Sequence, residues 1–180
     1  MENNKGHMIV GVDFSKAFDR VRHEYIERVL EAFNFPQRMI YFFKVLYAGA
    51  ESAVMNNGNS TRYFPLNQSC RQGDCLSPYL LILSIEPLLR CINSLPDIRG
   101  FQINEKEHKI SAYADDITLF MRDKESLLQA LDTIELFNKA SGLKLNYDKS
   151  EIFPVGFNQD SISEIPFDLK LKVVDQIKIT

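Results

Sequence analysis

The sequence has no excess of positive charge, no long apolar run and little cysteine. Against 21 lysines and arginines stand 24 aspartates and glutamates, a formal net charge of -3 over 180 residues. A global basic field of the kind that marks many nucleic-acid binders is missing, so composition by itself argues against nucleic acid. The most apolar stretch, Tyr79 to Ile85, is interrupted by Ser84 and then meets Glu86 and Pro87. That is far short of the roughly 20 residues a membrane span requires, and it predicts a soluble chain with no membrane partner. The polar start, Met1 to Gly6, carries no secretory pattern. Cys70, Cys75 and Cys91 form no CxxC pair, and His7, His23 and His108 are scattered. Neither a disulfide framework nor a zinc site is suggested, and reduced, intracellular conditions are expected.

What is present is enough to build a core. With 45% hydrophobic and 25% charged residues, the chain suits one compact domain rather than disorder. Met8 to Phe14 is a β-rich apolar run that reads as a buried strand ending at a carboxylate, Asp13. Helical spacing follows from about His23 to Asn34 and stops at Pro36, which also opens a second helix ending near Gly49. The turn cluster Asn56 to Asn59 between two short β-prone runs predicts a hairpin. Ser77 is placed to cap a helix with Pro78 in its first turn, apolar almost all round and therefore buried, with a kink or early end at Pro87. Gly100 to Asn104 and Lys109 to Phe120 suggest a second hairpin, with Asp115 and Asp116 in the middle of apolar material. A helical stripe from Lys124 to Ala140 ends at Gly142, and Leu143, Leu145 and Ile152-Phe153 suggest short strands. A weaker segment from Asn158 ends in a β-like run at Thr180, which looks like truncation. This order favours α+β, an antiparallel sheet backed by helices on one face.

Asp13, Asp115 and Asp116 stand where a core would not normally hold charge, because an ionised carboxylate is costly to bury unless paired or metal-bound. A divalent cation resolves that conflict: hard oxygen ligands suit Mg²⁺, which shares its shell with water and substrate phosphates. Two such ions, typically about 3.5–4 Å apart, can activate an attacking hydroxyl and stabilise a leaving oxygen. An ordinary hairpin turn at Asp115-Asp116, with Asp13 as an exposed strand end, accounts for the same spacing equally well.

Four segments occur in order: Asp13-Phe14-Ser15-Lys16-Ala17-Phe18-Asp19; Arg71-Gln72-Gly73-Asp74-Cys75-Leu76-Ser77-Pro78; Ala112-Tyr113-Ala114-Asp115-Asp116; and Ser141-Gly142-Leu143-Lys144-Leu145-Asn146 with Lys149-Ser150. Together they resemble the successive palm motifs of reverse transcriptases, most closely those of non-LTR, LINE-type retrotransposons. The resemblance implies a polymerase palm over residues 1–157, with 158–180 extending toward a thumb. It implies that Asp13 and Asp115 hold two Mg²⁺ ions, for which Mn²⁺ can substitute. Asp116 would ligate or orient, and the Phe14 carbonyl would add a ligand. Phe18 matches the bulky residue under the incoming sugar that rejects a 2′-hydroxyl, although an isolated Phe is usually core. Gln72, Gly73 and Tyr113 match residues around the nascent base pair. Lys149 matches the lysine proposed to protonate the leaving pyrophosphate, with a solvated surface lysine as the alternative.

Lys16, Asp19 and Arg71 are motif positions too, but Asp19 equally suits a helix N-cap and Arg71 a structural charge partner. Cys75 stands where the family usually has Pro, and Ser69 where it often has Gly. The implied partners are an RNA template, a DNA primer, dNTPs and the rest of a retrotransposon polyprotein, with fingers, thumb and an endonuclease as candidate segments, in cytoplasm and nucleus. The implied activity is RNA-templated DNA synthesis, weak or absent in the isolated chain because no match to the fingers or thumb is present. A non-catalytic remnant that binds nucleic acid or protein is the competing class. An RNA-making palm enzyme fits Phe18 poorly, and a nucleotidyl cyclase would lack the Arg-Gln-Gly loop.

Overall fold

The computed structural model describes residues 6–71, 73–156 and 171–175. Its centre is a five-stranded sheet in the order β11-β10-β1-β9-β8. These strands are β1 (His7–Val12), β8 (Ile110–Tyr113), β9 (Asp116–Met121), β10 (Glu151–Val155) and β11 (Lys172–Val173). β1 runs antiparallel to both β9 and β10, and β8 antiparallel to β9, whereas the edge strand β11 lies parallel to β10. The two-residue period of β1 decides what is buried: Met8, Val10 and Val12 turn inward, and the residues between them are half-exposed. Ile117, Leu119 and Met121 of β9 and Ile152 of β10 join them in one core. Each such side chain contributes about 1.5–3 kcal/mol by leaving water.

Five helices complete the described residues: α1 (Ala17–Arg20), α2 (His23–Ala32), α3 (Gln37–Tyr47), α4 (Ser77–Ser94) and α5 (Lys124–Ser141). α2 buries Ile26, Val29 and Leu30, and Pro36 sits at the N-cap position of α3, as the periodicity predicts. The Asp123 carboxylate caps α5 by accepting the Ser126 N–H, and Gly142 ends it with φ 85°. Small hairpins fill the remainder. β2 (Glu51–Ser52) pairs with β5 (Phe64–Pro65), and inside them β3 (Met55–Asn56) pairs with β4 (Asn59–Ser60). Asn57 and Gly58 both have positive φ, the backbone that a tight hairpin turn demands.

Four expectations are corrected. Ser77 does not cap α4: Leu76 occupies the N-cap position, and the Asp74 carboxylate accepts the Leu76 N–H at 3.0 Å. α4 is not buried all round, since Tyr79 is 67% exposed and Ile82 46%. Nor does it end at Pro87, continuing to Ser94 because its inner face, with Ile85, Leu88 and Ile92, remains anchored in the core. The region from Gly100 onward is two hairpins rather than one. β6 (Phe101–Ile103) turns back on β7 (Lys106–His108) through Asn104 and Glu105, both at positive φ, before β8 and β9 form their own pair. Gly100 permits the first closure, because a Cβ there would lie 2.2 Å from the His108 carbonyl oxygen. The expected β-like run at 177–180 falls outside the described residues.

Candidate active site

β1 and β9 continue to the same end of the sheet, and this convergence builds the site. Their register pairs Gly11 with Thr118 and Val12 with Ile117. Continued one step past its last pair, this register would align Asp13 with Asp116. Asp115 follows in the two-residue turn between β8 and β9, which Tyr113 and Asp116 close as a pair. The expected turn at Asp115-Asp116 is displaced by one residue: it falls at Ala114-Asp115, Asp116 is the first residue of β9, and Asp13 is half-buried rather than exposed. Ala114, the first residue of the turn, has φ 54°, a position where such loops favour glycine. Asp13 and Asp115 are half-buried and Asp116 is exposed.

On its other side Asp13 is gripped by the segment after α5. Its N–H donates to Ser150 Oγ at 3.1 Å, its carbonyl accepts the Asn146 N–H at 2.8 Å, and its Oδ2 accepts from Asn146 Nδ2 at 3.0 Å. Asn146 and Ser150 stand inside the fourth motif, whose pattern assigns neither of them a role. No local pattern announces a contact between residues so far apart in the chain. Phe14 bridges to Leu145, while Gly11 pairs with Glu151. Two residues intervene on the β1 side and five on the other, and the surplus forms a turn. Lys149 lies on that turn, exposed.

The remaining sequence-predicted residues surround this end of the sheet unequally. The Phe14 ring is buried, so only its backbone carbonyl is a candidate donor; the flanking bonds, Ser15 N–H to Lys144 and Asn146 N–H to Asp13, do not use it. Phe18 is half-buried, packed against the core from α1. Tyr113 is 82% exposed at the end of β8. Gly73 has φ 83° with open space around it, so backbone conformation rather than crowding calls for glycine there. Gln72 lies outside the described residues.

The supporting motif positions resolve into structural roles. Lys16 occupies the N-cap position of α1 with φ 49°, so Asp19 lies inside that helix and is not its cap. Arg71 donates to the Leu46 carbonyl at 2.9 Å and stacks 5.7 Å from the Tyr47 ring centroid, capping the end of α3 in place of a carboxylate partnership. Ser69, where the family often has Gly, adopts φ 100°, and its N–H bonds to the Val21 carbonyl at 2.9 Å. Its own carbonyl meets His23 Nε2 at 2.8 Å. Burial holds the His23 imidazole below its ordinary pKa, with the Ser69 bond opposing and the nearby Arg71 charge adding to the effect. Burial likewise pushes the Cys70 thiol up to about 12, whereas Cys75 is exposed.

Among the described residues, no group of three or more histidine, cysteine or acidic side chains is placed to hold a metal ion, and Asp13, Asp115 and Asp116 together do not form one. What the strand ends offer is two half-buried carboxylates, Asp13 and Asp115, with the exposed Asp116 next in sequence. Among the same residues no helix is long and apolar enough to cross a membrane.

Comparison with known proteins identifies the family and the fold. A family model described as reverse transcriptase (RNA-dependent DNA polymerase) matches residues 1–165. The Transposon TX1 uncharacterized 149 kDa protein of Xenopus laevis is 34% identical over 143 residues, 78% of this chain and 11% of that protein. The Pol polyprotein from type-2 retrotransposable element R2DM of Drosophila melanogaster is 34% identical over 148 residues, 82% of this chain and 14% of the polyprotein. The chain therefore spans a small part of the length of these relatives. Among solved structures, telomerase from Candida tropicalis in complex with a telomeric RNA fragment superimposes with a TM-score of 0.63 at 13% identity, over 85% of this chain and 27% of that one. At that identity the likeness is one of fold, the α+β architecture of a polymerase palm. The family match and the two relatives above 30% identity lead to one conclusion: the chain belongs to the reverse transcriptase family, among the non-LTR retrotransposon Pol proteins.

Proposed function

We propose that this chain carries the catalytic palm of an RNA-directed DNA polymerase, with Asp13, Asp115 and Asp116 as its acidic centre. The observation that supports the reading is the register of β1 and β9, whose last pair, Val12 with Ile117, directly adjoins Asp13 and Asp116, with Asp115 in the neighbouring turn. A site with only one or two carboxylate ligands suits Mg²⁺, which keeps several waters and shares its shell with phosphate oxygens. Asp13, Asp115 and the Phe14 carbonyl would hold the ions, and Asp116 would ligate or orient. When bound, such ions supply activation of a primer 3′-hydroxyl and charge stabilisation during displacement at a dNTP α-phosphate, with pyrophosphate leaving.

The chain's own groups do the rest. Phe18, anchored in the core yet part-exposed, is stiff enough to act as a wall against a 2′-hydroxyl. Gly73 and Tyr113 present backbone and ring to the nascent pair, together with Gln72. Lys149, on an exposed turn beside Asp13, is the donor of a proton to the departing pyrophosphate. RNA template, DNA primer and dNTP are the partners on this reading. The remaining segments of a retrotransposon polyprotein supply most basic contacts to the nucleic acid, which reconciles the net charge of -3 with the function.

Primer extension on an RNA template tests the assignment, with this chain placed in the context of a complete Pol polyprotein that extends primers. Asp115→Asn keeps the turn and the side-chain size but removes the charge, and extension is expected to be abolished. Unchanged incorporation would sink the metal-ligand role of the carboxylates.

A further inference from the structure

The Asn146 side chain reaches the Asp13 carboxylate itself from outside both the sheet and the acidic set, whereas Ser150 Oγ meets only the Asp13 backbone N–H. Its amide is held by its own turn: Oδ1 accepts the Asp148 N–H at 3.2 Å, and its backbone carbonyl accepts the N–H groups of Ser150 at 2.8 Å and Lys149 at 3.2 Å. With Oδ1 committed to the turn, Nδ2 is the end that faces Asp13, and it donates to Oδ2 at 3.0 Å. The backbone bond from Asn146 N–H to the Asp13 carbonyl fixes the spacing between the two residues. The amide thus engages one carboxylate oxygen and leaves Oδ1 as the oxygen open to a cation. Because the donor is neutral, it orients the carboxylate without cancelling its charge, as a lysine in the same place would.

We propose that Asn146 is a positioning residue for Asp13, locking the carboxylate rotamer so that a divalent cation meets a preoriented oxygen. This rests on the reading of Asp13 as a metal ligand given above. Hydrogen-bonded partners of ligating carboxylates have the same effect elsewhere, and their loss costs about 10- to 100-fold in metal affinity.

The test measures Mn²⁺ binding to the 180-residue chain by water-proton relaxation, beside thermal melting of the same samples. Four proteins are compared: wild type, Asp13→Asn, Asn146→Ala and Asn146→Ser. Serine can accept the Asp148 N–H and so preserve the turn, but its hydroxyl is too short to reach Asp13. Wild type is expected to bind and Asp13→Asn to lose that site. Asn146→Ala and Asn146→Ser are both expected to bind about tenfold more weakly, although the serine variant melts closer to wild type than the alanine variant. That split between affinity and stability is what a purely structural asparagine would not produce. Wild-type affinity in both Asn146 variants, or affinity that simply follows melting temperature, overturns the inference. Mn²⁺ binding that is missing in wild type or untouched by Asp13→Asn overturns the metal-ligand reading itself, and the positioning role falls with it.

Discussion

Asp13 is approached by two turns of opposite character. On the β9 side, Ala114 and Asp115 form a minimal two-residue turn with a left-handed alanine, and it brings carboxylates of which Asp116 is exposed. On the β10 side, residues 146–150 form a longer turn that brings hydrogen bonds instead, closed by Ser150, which is fully buried. One side carries charge at the expense of backbone comfort. The other carries packing and satisfied polar groups, and its surplus residues exist only to reach Asp13. The contrast teaches that charge and rigidity at this site are supplied by different parts of the chain. Substitutions on the two sides should therefore move stability in opposite directions.

The largest expected effect lies at the root of the packed side. Gly142 ends α5 with φ 85°, and a Cβ there would stand 2.7 Å from the Arg20 carbonyl oxygen and 2.8 Å from Arg22 Cγ. The same junction holds the Arg22 N–H to Ser141 carbonyl bond, so the backbone has little room to retreat. Gly142→Ala is expected to destabilise the chain by roughly 3 kcal/mol, combining left-handed strain with a backbone clash. Chemical denaturation measures it. A loss no larger than that of an ordinary surface substitution would show that the segment after α5 can shift as a unit, and the contrast between the two turns would weaken.

Next comes Ser150, whose Oγ accepts the Asp13 N–H with no exposure to water. Ser150→Ala leaves that donor without its partner, at an expected cost of about 1–3 kcal/mol. Amide hydrogen exchange gives the local readout: the Asp13 N–H should exchange faster in the variant while the amides of Val10 and Leu119 stay protected. If all amides of the sheet accelerate together, the bond contributes to global stability only and does not single out Asp13.

How far the sequence revealed these two turns differs for a physical reason. The Asn57-Gly58 turn and the Gly142 cap of α5 were legible because each is local: a residue's own backbone preference decides it. The β8–β9 turn was harder, since apolar residues run through both strands and the residues at the turn are an alanine and two acids rather than glycine or asparagine. The exposure of Tyr79 and Ile82 was missed because periodicity reports hydrophobicity, not which face finds a neighbour. The β10 side was least legible. Asn146 and Asp13 meet across 133 positions, and only the register of β1 with its neighbours brings them together. Ser69 is a similar case: its positive φ is held by long-range bonds to Val21 and His23, and nothing in its immediate neighbours requires it.

The smallest effect, and the one of opposite sign, is expected at Ala114. Its φ of 54° lies in the left-handed region, which an alanine occupies only when its surroundings impose it. Glycine relaxes that conformation but adds freedom to the unfolded chain, so the two contributions partly offset. Ala114 is exposed and its methyl contributes no core packing. The balance favours the folded state, and Ala114→Gly is expected to stabilise by up to about 1 kcal/mol, seen as a higher melting temperature. The same substitution loosens the turn that carries Asp115, so Mn²⁺ affinity should stay level or fall while stability rises. Stability gained together with tighter Mn²⁺ binding would show that the alanine's conformation hinders the carboxylates instead of aiming them. A lower melting temperature would show that the turn is not strained, and the opposition between the two sides of Asp13 would be lost.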